Sequence, residues 1–227
     1  MNAAYESNDI NIWVSFADVF AGLLLIAIIG LAVILPRQKD VRFSQELVSA
    51  MNQATKTTQL IQSRLEERLP AHSEKPTYSE TEIIIPSAAL FKSFGFDDFL
   101  HDQEKGEVLA AICEAIHSAL VESGDQRRFL RVVIEGHTDN VPISEAAATP
   151  AIKTNWELSS RRATGVLRFF ENAGLSPREF NIVAMGLADS TPVADNSSDE
   201  GRAKNRRIVI RIEPDLETIK ANLAPGH

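Results

Sequence analysis

The sequence predicts an α+β protein with a single N-terminal transmembrane helix, a helical stalk and a C-terminal two-layer α/β sandwich. Three observations predict it. Residues 12–35 form an apolar run with one ionisable side chain, Asp18. Leu47, Met51, Ala54, Thr58, Ile61 and Leu65 then follow at spacings alternating between four and three. From Glu82 onward, short apolar runs alternate with stretches of helical period, the pattern of strands among helices. Composition agrees. With 44% hydrophobic and 24% charged residues over 227 positions, the chain fits one folded domain with attachments. Wholesale disorder and a many-span membrane protein are both excluded.

A short tail, residues 1–11, precedes the apolar run. Roughly 20 apolar residues suffice to cross a bilayer as a helix, and residues 12–35 exceed that. A secretory signal would need a basic start and an apolar stretch of roughly 7–15 residues before a small-residue cleavage site. Residues 1–12 hold no Lys or Arg, LAVILPRQ offers no such site, and there is no lipobox cysteine. The segment therefore reads as an uncleaved anchor. Pro36 ends it, and Arg37, Lys39 and Arg42 follow. Counted alone, these charges predict that the C-terminus lies inside.

Asp18 is the chemically unusual residue of the anchor. A charge at the centre of a membrane helix costs about 2.5–3.5 kcal/mol on insertion scales, less near an end. At helical spacing Asn11, Ser15, Asp18 and Gly22 share an arc of about 60°, and Leu25 and Ile29 continue the stripe. Such a face suits a partner helix or a narrow wet passage. A carboxyl group there can bind and release a proton, and a proton crossing the membrane gains about 2.3 kcal/mol per 100 mV. An interfacial or packing Asp that reaches water fits the same residues, and residue chemistry leaves both readings open.

Residues 36–80 read as stalk and linker. The four-three spacing is a heptad seam, weakened by Ala54 and Thr58, and predicts a parallel dimer contact beside the membrane. A solvated stalk without a partner is the alternative. PAHSEKPTYSE (70–80) is polar, contains two prolines and reads as linker.

Residues 81–213 form the folded domain, and 214–227 a tail. EIIIPS, LRVVIEGH, NIVAMGLA and RRIVIRIE read as strands. Glu104–Glu122 is an amphipathic helix with Val108, Ala111, Ile112, Ala115, Ile116 and Ala119 on its apolar side. Thr154 and Glu157 form a capping-box pair that opens a second helix, which runs to Asn172 with Gly174 past its end. Residues 201–205 form a short turn or helix. The net charge of −8 gives no general attraction to nucleic-acid phosphates. The lone Cys113 reads as a small core residue. GxGxxG, Walker, HExxH and GxSxG signatures are missing, and the five histidines have no metal-ligand spacing. No enzyme, metal or cofactor is expected.

VVIEGHTDNVPI (132–143), NWELSSRRATGVLRFFENAGL (155–175) and GRAKNRRIVIRI (201–212), in that order, resemble the peptidoglycan-binding domain shared by OmpA-type outer-membrane proteins and MotB-type motor subunits. The likeness covers roughly residues 81–213. WVSFADVFAGLLL (13–25) resembles the membrane segment of the MotB branch. The resemblance implies a sandwich of the OmpA C-terminal type and a ligand, the diaminopimelate-containing stem peptide of peptidoglycan. It implies that Asp139 accepts the ligand ammonium and that Arg162 binds a ligand carboxylate, which suits the planar guanidinium fork. Thr138, Asn155, Leu158 and Ser159 would shape the pocket, and Asn205 and Arg206 would close its side. Taken singly, Asp139 also fits a turn former, Arg162 a solvated helix charge and Asn205 a helix C-cap.

The same resemblance implies that Asp18 is the proton-carrying residue, with Ser15 and Gly22 on its channel face. It implies a self-dimer within a ring of A subunits of the MotA or ZorA type, five A to two B. The chain would sit in the bacterial inner membrane with its N-terminus cytoplasmic and its C-terminal domain periplasmic. That orientation opposes the charge count. The tail carries Glu6 and Asp9 and lacks the longer basic tail of flagellar stator subunits, and no plug helix is evident immediately after the anchor, although residues 37–50 have room for one. The short tail and heptad stalk resemble ZorB, the B subunit of the Zorya anti-phage system, more than the flagellar branch. A passive OmpA-like envelope tether is the remaining alternative.

Overall fold

The computed structural model describes residues 3–69, 74–92, 95–144 and 148–223; within the first helix, side chains are described at 16, 19–32 and from 40 onward. The chain divides into two compact units between Glu46 and Leu47.

The first unit is built on the beginning of helix α1 (Ala3–Arg68). Phe16, Val19, Phe20, Leu23, Leu24, Leu25, Ile26, Ile28, Ile29 and Leu31 are each at least 55% exposed. Apolar side chains on every side of a helix mark a surface that lipid or other helices cover. Among the described residues, no helix is long and apolar enough to cross a membrane. The expected anchor at 12–35 includes side chains outside those described, and the expectations for Ser15 and Asp18 lie there as well. Gly22 is described and exposed.

The second unit, Leu47–Asn222, holds the folded domain. Its strands are β1 (Thr77–Tyr78), β2 (Glu82–Pro86), β3 (Leu130–His137), β4 (Ile182–Ala188) and β5 (Arg207–Pro214). They form one mixed sheet in the order β1-β2-β5-β3-β4. β3 and β4 pair in parallel, and every other pair is antiparallel. Each strand places alternate residues on one face, so Ile83, Ile85, Val132, Ile134, Ile208, Ile210 and Ile212 all reach the core. Helices α3 (Gln103–Glu122) and α4 (Asn155–Asn172) cover that face with Leu109, Ile112, Ile116, Ala163, Val166 and Phe170. Short helices α2 (Ser87–Leu90) and α5 (Asp199–Asn205) flank the strand ends, and α6 (Leu216–Leu223) follows β5.

The heptad seam has a different partner from the one expected. Ala54, Thr58, Ile61 and Leu65 are buried in the domain's own core, while Met51 is exposed. The end of α1 lies against α3. Gln53 Nε2 donates to Ser123 Oγ at 3.2 Å, Thr57 Oγ1 meets the same hydroxyl at 3.0 Å, and Arg64 Nη1 donates to Ser118 Oγ at 2.8 Å. Arg64–Glu122 and Arg68–Glu114 ion pairs line its outer edge. The apolar stripe expected to meet a second copy is thus covered in the same chain. Part of the expected linker is also ordered, since Thr77 and Tyr78 pair with Ile84 and Ile83 as an edge strand.

Two glycines bring α4 onto the sheet. A Cβ on Gly136 would lie 2.2 Å from the Ser159 carbonyl oxygen, and one on Gly186 would lie 2.4 Å from the Ser160 amide nitrogen. Only a bare Cα admits the second turn of α4 this close to the ends of β3 and β4. This approach sets the residues after β3 beside those on the exposed edge of α4.

Candidate ligand-binding cleft

Beyond the end of β3, the chain turns at Asp139. Its Oδ1 accepts the Val141 amide at 3.1 Å, and its Oδ2 accepts Arg206 Nη1 at 2.6 Å. Asn155 opens α4 and holds the same loop, because its Nδ2 donates to the carbonyls of Asp139 (3.1 Å) and Val141 (3.0 Å). The capping box fixes the helix start: the Thr154 hydroxyl accepts the Trp156 amide at 3.2 Å, and the Thr154 amide donates to Glu157 Oε2 at 2.8 Å. Leu158 and Arg162 lie three and seven residues on from Asn155, so they share its helix face.

Thr138, Asp139, Asn155, Leu158, Arg162 and Arg206 line a cleft of about 680 Å³. Its opposite wall is Ser87, Ala88, Phe91 and Lys92, with Val141, Ile143 and Arg202 completing the rim. Arg162 is 4% exposed and is not the solvated helix charge that its sequence position allows. Its Nε donates to the Gly95 carbonyl at 2.8 Å, Nη1 to Ser87 Oγ at 3.1 Å and Nη2 to the Lys92 carbonyl at 3.4 Å. Its guanidinium stands 4.9 Å from the centre of the Phe91 ring. All of these partners are neutral. Burial pulls its pKa down to about 10; Asp98 and Asp139 raise it, and Arg206 lowers it. A buried cation without a bonded carboxylate carries an uncompensated desolvation cost, which an incoming anion relieves. The Thr138 hydroxyl is a second such group, buried and without a hydrogen-bond partner among the described residues.

Two expected pocket residues are placed elsewhere. Ser159 is fully buried behind the cleft, where its hydroxyl accepts the Ala188 amide at 3.1 Å and donates to the Trp156 carbonyl at 3.1 Å. It fastens α4 to β4. Asn205 is also fully buried: Oδ1 accepts the amides of Val193 (2.8 Å) and Ala194 (3.0 Å), and Nδ2 donates to Ala194 O and Asn196 Oδ1, both at 2.9 Å. With its amide groups spent on the 193–196 loop, Asn205 supports the cleft and does not line it. Ser87, Phe91 and the Gly95 carbonyl, which seat Arg162, carry no signal in the sequence. They meet Arg162 only through the tertiary fold. Among the described residues there is no His, Cys, Asp and Glu grouping able to hold a metal.

Residues 94–206 match the OmpA family model. Motility protein B of Bacillus subtilis is 39% identical over 84 residues, which are 37% of this chain and 30% of that protein. The chain therefore spans less than a third of that relative. Motility protein B of Helicobacter pylori is 25% identical over 235 aligned positions, covering 91% of this chain and 86% of that protein. A solved MotB-like protein from Desulfovibrio vulgaris superposes with a TM-score of 0.59 at 26% identity, covering 74% of this chain and 96% of that one.

Proposed function

We propose that this chain is the wall-anchored B subunit of a proton-driven motor complex. Its OmpA-family domain grips the peptidoglycan stem peptide, and its N-terminal helix carries the proton on Asp18. OmpA-family and MotB-type proteins are structural and motor proteins, not enzymes.

Arg162, buried and bonded to no carboxylate among the described residues, carries the wall-binding reading. Diaminopimelate ends in an ammonium and a carboxylate on one carbon. Asp139 receives the ammonium, and Arg162, together with the unpartnered Thr138 hydroxyl, receives the carboxylate. Charge-assisted bonds of this kind are strong where water is excluded. The motor reading rests on the exposed apolar stretch of α1 and on the motility protein whose likeness extends over most of the chain. In that reading, Ser15 and Gly22 flank Asp18 on the face turned to a ring of A-type subunits. Two copies of the chain meet inside the ring, and the C-terminal domain lies in the periplasm of an inner-membrane complex. The relatives named above favour motility, and none supports a role in phage defence.

Proton flux through the co-expressed complex tests this reading. Asp18→Asn is expected to abolish flux while sedimentation with purified sacculi stays at the wild-type level. Undiminished flux in that variant reduces the protein to a passive tether.

A further inference from the structure

The cleft without ligand is already self-paired. Both oxygens of Asp139 are engaged, one by the Val141 amide at 3.1 Å and one by Arg206 at 2.6 Å. An arriving ammonium competes with Arg206 for this carboxylate. The other cleft cations are held elsewhere. Arg202 bonds Asp199 and the Asn196 carbonyl, Lys92 faces Asp102 at 3.7 Å, and Arg162 bonds neutral oxygens. Among the described residues of the cleft, Arg206 is therefore the cation whose anionic partner is also the ligand's anchor.

We infer that Arg206 is a specificity-determining residue: it occupies Asp139 until a ligand presents a carboxylate next to its ammonium. The inference rests on the assignment of the ligand ammonium to Asp139. Asp139 keeps only 12% of its side-chain surface exposed, whereas Arg206 keeps 43%. Arg206 is thus the partner that can swing away. A ligand with an isolated ammonium takes Asp139 from Arg206 and supplies no anion in return, so Arg206 loses its ion pair and stays near the like-charged Arg162. That loss selects against the ligand. A ligand whose ammonium and carboxylate share a carbon exchanges one ion pair for two. Arg206 then bonds the new carboxylate together with Arg162, and no charge is left unpaired. The pair thus disfavours simple amines and lysine-type peptides relative to zwitterionic ends.

Calorimetric titration of the detergent-solubilised full chain tests this with two probes. One is the tripeptide L-Ala-γ-D-Glu-meso-diaminopimelate. The other has L-Lys as its third residue, which leaves the terminal ammonium without a neighbouring carboxylate. Wild type is expected to prefer the first by about tenfold or more, equivalent to about 1.4 kcal/mol. Arg206→Gln is expected to bind the lysine peptide more tightly than wild type does, which narrows the ratio. Arg206→Lys keeps the charge and is expected to restore the preference. A merely structural role for Arg206 would weaken both probes and improve neither. An unchanged ratio in Arg206→Gln, with wild type binding the first probe, overturns the inference alone. If wild type binds neither probe, the wall-binding reading itself falls.

Discussion

Thr138 is the simplest test of whether this domain gives up stability for a ligand. Its buried hydroxyl has no partner among the described residues, so the folded state carries the desolvation cost without a bond in return. Thr138→Val preserves shape and removes that cost. The variant is expected to unfold at the same or slightly higher urea concentration than wild type, yet to bind the diaminopimelate tripeptide more weakly. Equal binding by the two proteins would assign the hydroxyl no part in recognition. Glu135 illustrates the opposite case, a buried charge that is fully compensated. Burial pushes its carboxyl pKa up, but hydrogen bonds and charge from His137 and Arg211 outweigh this and hold it below the ordinary value of 4.5. A carboxylate with a lowered folded pKa contributes stability that is present above its unfolded pKa and lost as pH falls through the folded one. The stability gap between wild type and Glu135→Gln is therefore expected to close as pH falls from about 6 to about 3, read from urea midpoints. A constant gap would show that packing, not charge, explains Glu135. At this scale the sequence was partly legible. The motifs marked Asp139 and Arg162, but they did not say which way each neighbour faces. Ser159 and Asn205 belong to the same motifs as the lining residues and point into the scaffold, because one face of α4 meets β4 and the end of α5 must close the 193–196 loop.

At the scale of elements, the strands and helices were legible because their periods are strong. EIIIP is a short apolar run, RIVIRIE carries an Ile at every second position, and α4 is framed by a capping box and by Gly174, whose φ of 93° ends the helix in the left-handed region. The partner of α1 was not legible. A heptad stripe states that a helix has an apolar face but does not state what covers it, and here α3 does. Ile61→Ala should cost about 2–5 kcal/mol in urea unfolding of the full chain, as expected for a fully buried aliphatic side chain. The midpoint is expected to be independent of protein concentration. A midpoint that rises with concentration would return the stripe to a contact between copies. Gly136 was equally silent in the sequence, because its role is to be absent where the Ser159 carbonyl passes. Gly136→Ala forces the second turn of α4 away from β3 and is expected to cost about 1–3 kcal/mol. It should also weaken ligand binding by shifting Asn155 and Leu158 from the loop they hold. Loss of stability with full binding would separate the helix approach from the cleft.

For the whole molecule, the proposed function joins two chemistries on one polypeptide: an apolar stretch bearing Asp18, and a wall-binding domain whose buried Arg162 bonds no carboxylate among the described residues. Each explains a residue that is costly if it stands alone. The proposed division of labour makes the two separable, so that Asp18→Asn is expected to spare wall binding and Arg162→Ala to spare proton conduction in membrane vesicles. The most direct test of the central claim is a calorimetric titration of the full chain, wild type against Arg162→Ala, with the diaminopimelate tripeptide, accompanied by urea midpoints to show that both are folded. Wild type is expected to bind, and a folded Arg162→Ala to bind at least about tenfold more weakly. Equal affinity in the two folded proteins would contradict the assignment of this cleft as the wall-binding site.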